Sequence, residues 1–178
     1  MGIRDEELKR LEKYAQGLGI KVYHKPHVKG CGGAEWDMDD QSIVLYHNNK
    51  MSKTKLIIYF IHELGHHLDW VYNNRKDSKA AIKAFEFLGE GHMYGDRSDI
   101  PKKYRKVILD EEKAGGEYHE TIYKELNIKI PLWKIKMEQH LDMYEYRCLY
   151  REARFTKYKE FHKYKKSITK AFKERYGK

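Results

Sequence analysis

The sequence predicts an α+β fold: a small antiparallel sheet beside one long helix, followed by a mainly helical C-terminal half. Three observations carry this. Strand-like alternation is confined to residues 20–47, and helical spacing dominates from residue 52 onwards. The two kinds of segment do not alternate as βα units. At 178 residues the chain also has the length of one ordinary domain.

The elements follow in order. Leu8, Leu11, Tyr14 and Ala15 recur at helical spacing over Glu6–Leu18, and Gly17 and Gly19 stop that helix. Ile20–His24 alternates like a strand. Ala34–His47 reads as two strands around a turn at Asp39-Asp40. Ser52 is a good N-cap for a long helix reaching Tyr72. A second helix spans Asp77–Leu88, and the Gly-rich stretch 89–101 is loop. A third helix covers Lys103–Leu126, with Asn127 as its stop. Pro131 opens a tail of two amphipathic helices meeting near Thr156.

Composition narrows the class. Apolar residues make up 40% and charged residues 35%, too polar for a membrane protein, while 13% aromatics is too rich for a disordered one. The charged N-terminus lacks a signal-peptide core, and Cys31 and Cys148 do not make a disulfide framework. The expectation is a soluble cytoplasmic protein without membrane contact. The net charge of +9 is unevenly spread: residues 133–178 hold 14 Lys+Arg against 6 Asp+Glu, and residues 1–132 are nearly balanced. This divides the chain into a body, 1–132, and a basic helical extension, 133–178. Lys157, Lys159, Lys163, Lys165 and Lys166, interleaved with aromatics, make the extension a candidate nucleic-acid-binding segment.

The chemistry lies in HELGHHLDW, which contains H-E-x-x-H as His62, Glu63 and His66. Residues four apart share a helix face, so two imidazoles can hold one zinc ion while the Glu between them serves as general base. Ile57, Phe60, Ile61, Leu64, Leu68 and Val71 fall on one side of the wheel, His62, His66 and Asp69 on the other. Catalytic zinc takes a third protein ligand. The metzincin extension fails, because Asp69 and Tyr72 stand where Gly and His are needed. A later-helix Glu is the alternative. Glu112, Gly115, Gly116 and His119 form one stripe, and close packing of that stripe on the zinc helix would explain two costly helical glycines. Glu112 is the choice, with Glu111 and Glu117 as alternatives and His92 as a fallback.

With HELGHHLDW followed by LDEEKAGGEYHETIYKELNI, residues 6–127 resemble the ImmA/IrrE-like zinc metallopeptidases, gluzincin-type zincins, especially small phage-borne members. The resemblance implies a zincin-like fold and a third ligand from a Glu opening an E-x-x-A segment. That matches Glu112, with Gly115 in place of the Ala.

The expected activity is endopeptidase cleavage of a protein substrate by a zinc-activated water, with Glu63 as base. Asp69, His119 and Tyr118 are candidates for orienting an imidazole or stabilising an oxyanion, and Tyr94 is another donor candidate. The strand Ile43–His47 and its hairpin are where a peptide would add, with Trp36 and Tyr46 as candidates to line the groove and core packing as the favoured role of Trp36. His67 reads as structural. The alternative function is a nucleic-acid-associated module on an inherited zincin scaffold, acting through the basic tail.

Overall fold

The first predicted helix is α1, Ile3–Gly17 in the computed structural model, which describes residues 3–27, 33–47, 51–74, 79–87, 101–151 and 157–176. Its end is set by Gly19, whose φ of +82° costs a glycine little. That turn lets the Gly19 N–H reach the Gln16 carbonyl and the Ile20 N–H reach that of Ala15, both at 3.0 Å. Leu11, Ala15 and Ile20 are thereby buried together with the chain's entry into the sheet.

Strands β1 (Lys21–Pro26), β2 (Ala34–Asp37) and β3 (Ser42–His47) form a sheet in the order β1-β3-β2. The expected hairpin is present: β2 and β3 are antiparallel, with Trp36 opposite Ile43. The expected all-antiparallel sheet is not, because β1 runs parallel to β3, with Val22 beside Ile43. Burial explains the correction. Ser42–Tyr46 is buried throughout, whereas β1 is mostly exposed, so β3 takes the centre. Three strands that reverse direction in turn leave the first and third parallel, and placing the third in the middle makes them neighbours.

Helix α2 (Lys53–Tyr72) begins as predicted, with the Ser52 hydroxyl accepting from the Lys55 N–H at 3.2 Å. Between Leu56 and Trp70 every residue except Tyr59 and Glu63 is buried, so α2 is covered nearly all round rather than on one face. Val71, assigned to the apolar face, is 49% exposed. The single helix predicted over Lys103–Leu126 is two, α4 (Lys102–Glu117) and α5 (His119–Glu125). At Tyr118 the N–H turns to the Gly115 carbonyl, only three residues back, and the α-helical ladder is interrupted. Asn127, at φ +47°, ends α5's chain segment as expected.

Chain contacts define two units. The first, Met1–Asn73 with Ala114–Pro131, holds α1, the sheet, α2, the end of α4 and α5. Leu11, Ile43, Leu45, Ile57, Phe60, Ile61, Leu64 and Ile122 form its core. Buried Glu7 accepts from the Lys129 backbone and from Arg4, and Arg10 donates to the Leu126 carbonyl at 2.8 Å, which fastens the 126–129 segment to α1. The second unit is Asn74–Lys113 with Leu132–Lys178. It holds α3 (Lys79–Phe87), most of α4, α6 (Leu132–Tyr146), a π-helical segment Arg147–Arg151 and α7 (Tyr158–Tyr176). Ala84 and Ile108 pack there with Tyr104, Val107, Leu109, Tyr146 and Leu149. Among the described residues no helix is long and apolar enough to cross a membrane.

Candidate metal centre

Helix α2 sets His62 and His66 one turn apart on one side. Their Nε2 atoms lie 3.1 Å from each other, and both residues are buried. Two nitrogens bound to one tetrahedral zinc ion sit roughly 3.3 Å apart, so the pair already has the spacing of shared ligands.

The third donor is brought in by two glycines. A Cβ on Gly65 would lie 2.1 Å from the Gly115 carbonyl oxygen, so α2 and the end of α4 meet backbone to backbone. A Cβ on Gly115 would lie 2.8 Å from Nδ1 of His66, so this glycine also leaves room for the imidazole. The expected close packing of the stripe on the histidine helix is therefore present at Gly115. One turn earlier on α4 stands Glu112. Ligand atoms of His62, His66 and Glu112 all lie within 4.8 Å of one another, the one such group among the described residues. Glu111 is buried and Glu117 exposed, and neither belongs to the group. Two imidazoles and one carboxylate are a suitable donor set for a catalytic zinc, so the group could hold a metal ion.

Glu63 is on α2 between the two histidines and stays partly accessible. The backbone N–H of Trp36 donates to its Oε2 at 3.0 Å. Sequence reading gave Trp36 a packing or groove role and had no signal for this contact, because every residue type but proline supplies the same amide. The ring of Trp36 is nearly parallel to that of His66, with centroids 6.5 Å apart, and meets His67 and Trp70 edge-on.

His119, at the start of α5, is 3% exposed and places Nε2 3.2 Å from Nδ1 of His62. Burial, helped by His62 and His66 nearby, holds its pKa well below the ordinary imidazole value. If His62 offers Nε2 to a metal, its Nδ1 carries the proton and donates to His119 Nε2, which makes His119 the Nδ1–H tautomer. Nδ1 of His119 is buried without a hydrogen-bond partner among the described residues. His119 thus stands at the ring nitrogen of His62 opposite the one that meets His66.

Other expected residues lie further round. Asp69 is buried and accepts from Nδ2 of Asn73 at the end of α2. Tyr118 stacks on the exposed Tyr72 and has its hydroxyl 3.4 Å from Asn73 Nδ2. His67 is buried, and burial alone lowers its pKa, in keeping with a structural role. The strand Ile43–His47, expected to receive a peptide, is the central strand, paired with β1 on one side and β2 on the other. Of the tail lysines, Lys157, Lys159, Lys163 and Lys166 are exposed and Lys165 is half-buried. His92, Tyr94 and Cys31 lie outside the described residues. No family model, curated protein or solved structure matches the chain.

Proposed function

We propose that the chain is a zinc-dependent endopeptidase that hydrolyses a peptide bond of a protein substrate with Glu63 as general base. The observation that carries this reading is the convergence of His62, His66 and Glu112, with Glu63 between the two histidines on α2 and its carboxylate held by the Trp36 N–H. The resemblance of HELGHHLDW and its following helix to the ImmA/IrrE-like metallopeptidases supports it.

His62 and His66 would each offer a ring nitrogen to the ion, and Glu112 would complete the set with a carboxylate oxygen. Bound zinc lowers the pKa of its water towards about 7 and polarises a carbonyl. Glu63 removes the proton as the water oxygen attacks the scissile carbonyl carbon, and returns it to the departing amine nitrogen as the C–N bond breaks. The Trp36 N–H holds the carboxylate in place for both transfers, and it ties the base to β2. An extended peptide lies beside the β2–β3 hairpin, which brings its backbone past Glu63.

Quantitative mapping of protein N-termini in cells expressing wild type or Glu63→Gln tests the reading. New termini that depend on Glu63, with metal content equal in both proteins, are expected. Identical termini in the two cultures would overturn it.

A further inference from the structure

Helix α7 carries seven basic residues against two acidic ones, and they are not scattered. Lys159, Lys163, Lys166, Lys170 and Lys173 follow each other at intervals of four and three residues, which at about 100° per residue is one stripe. All five are exposed. Tyr164, Ile168 and Phe172 occupy the opposite side and are half-buried. That side faces α6: Tyr164 stacks on Tyr144 at 3.8 Å and bonds His140 at 2.8 Å, while Phe172 meets His140 at 6.0 Å. Among the described residues the stripe has one carboxylate partner, Glu174, 3.8 Å from Lys170. Glu160, the other acid of α7, accepts from the Tyr144 hydroxyl.

We propose that this stripe is a binding surface for the phosphate backbone of duplex DNA, separate from the peptidase chemistry. The five ammonium groups span about 21 Å of helix, a length over which duplex DNA carries about 12 phosphates. Lysines are point charges that neutralise phosphates without reading bases, so the surface recognises backbone rather than sequence. Two other polyanions fit less well. A membrane surface takes an amphipathic helix by its apolar face, and here α6 covers that face. Unpaired bases need free aromatic platforms. Tyr164 and Phe172 are committed to α6, and the exposed rings of Tyr158 and Tyr176 stand at opposite ends of α7, beside His162 and Phe172, so they make no continuous platform.

The test is fluorescence anisotropy of the full-length protein with a labelled 20-base-pair duplex at 50 and 200 mM salt. Each phosphate contact contributes a log–log slope of about −0.9, so five lysines predict about a 500-fold loss of affinity over that range. Lys163→Gln with Lys166→Gln and Lys170→Gln leaves two contacts, and the loss shrinks to about 12-fold. A charge-matched control, Lys9→Gln with Lys13→Gln and Lys25→Gln, alters equally exposed lysines of the other unit and retains the wild-type salt response. Absence of binding at 50 mM salt would overturn the proposal. So would equal loss in the control, tighter binding of a single strand, or preference for phosphatidylserine vesicles over the duplex. Peptidase activity enters none of these readouts, so the peptidase reading and this one fail separately.

Discussion

Gly65→Ala isolates the contact that brings α2 and the end of α4 together at the candidate metal centre. In an unobstructed helix interior, replacing glycine by alanine stabilises by about 1 kcal/mol. Here the new methyl would lie 2.1 Å from the Gly115 carbonyl oxygen and 2.9 Å from its carbon, both backbone atoms that cannot swing aside. Relief requires α2 and the end of α4 to separate by an ångström or more. Overpacking of this kind costs about 1–3 kcal/mol, and a clash with backbone lies at the upper end. The net expectation is a loss of about 2 kcal/mol, or about 4–8 °C in Tm for a chain of this length. Gly17→Ala is the control, since nothing lies within 4 Å of a Cβ there; it is expected to be neutral or mildly stabilising. Chemical denaturation of the metal-free proteins measures both, and zinc titration should show weaker binding by Gly65→Ala alone. A Gly65→Ala protein as stable as wild type, with unchanged zinc affinity, would refute the backbone-to-backbone packing and the assembly argument with it.

Glu112→Gln is expected to weaken zinc binding by at least tenfold in a competitive chelator titration, with Glu111→Gln close to wild type; the reverse ranking would move the ligand by one residue. His119→Ala should cost about 10–100-fold in zinc affinity, and His119→Gln, which retains an acceptor for the His62 Nδ1–H, should recover part of it. Equal affinities for the two variants would make His119 a packing residue only. Burial holds His67 and His119 below the ordinary imidazole pKa, His119 much further. Below about pH 6.5 the unfolded chain therefore binds more protons than the folded one. Stability of the metal-free protein should fall as pH drops through that window, by at most about 1.4 kcal/mol per pH unit for each histidine. A His119→Gln protein should show a shallower decline, and a wild-type stability profile flat between pH 7 and 5.5 would contradict the burial argument.

The local elements were legible because short-range chemistry decides them. Ser52 caps α2, Gly19 ends α1, Asn127 stops α5, and Asp39-Asp40 sits in the β2–β3 turn; each acts through its own backbone neighbours. His62, Glu63 and His66 were legible for the same reason, since helical spacing alone sets the two histidines on one side with the glutamate between them. Gly115 could be read too, as a helical glycine whose cost needs a close contact to offset it.

What required the tertiary structure is whatever depends on segments distant in the chain. The mixed order of the sheet follows from β3 being covered on both faces, which alternation within one strand does not reveal. The break at Tyr118 turns on one backbone N–H choosing a nearer carbonyl. The Trp36 amide reaches Glu63 from 27 residues away and is chemically anonymous in sequence. His119, one of several candidates on its stripe, becomes the partner of His62 through burial and a 3.2 Å contact across 57 residues. The sequence alone determined which histidines could share a metal ion and which helix presents them, because helix periodicity and capping are local. Which amide and imidazole stand beside them was decided by packing, because those contacts join residues 27 and 57 positions apart and follow no pattern along the chain.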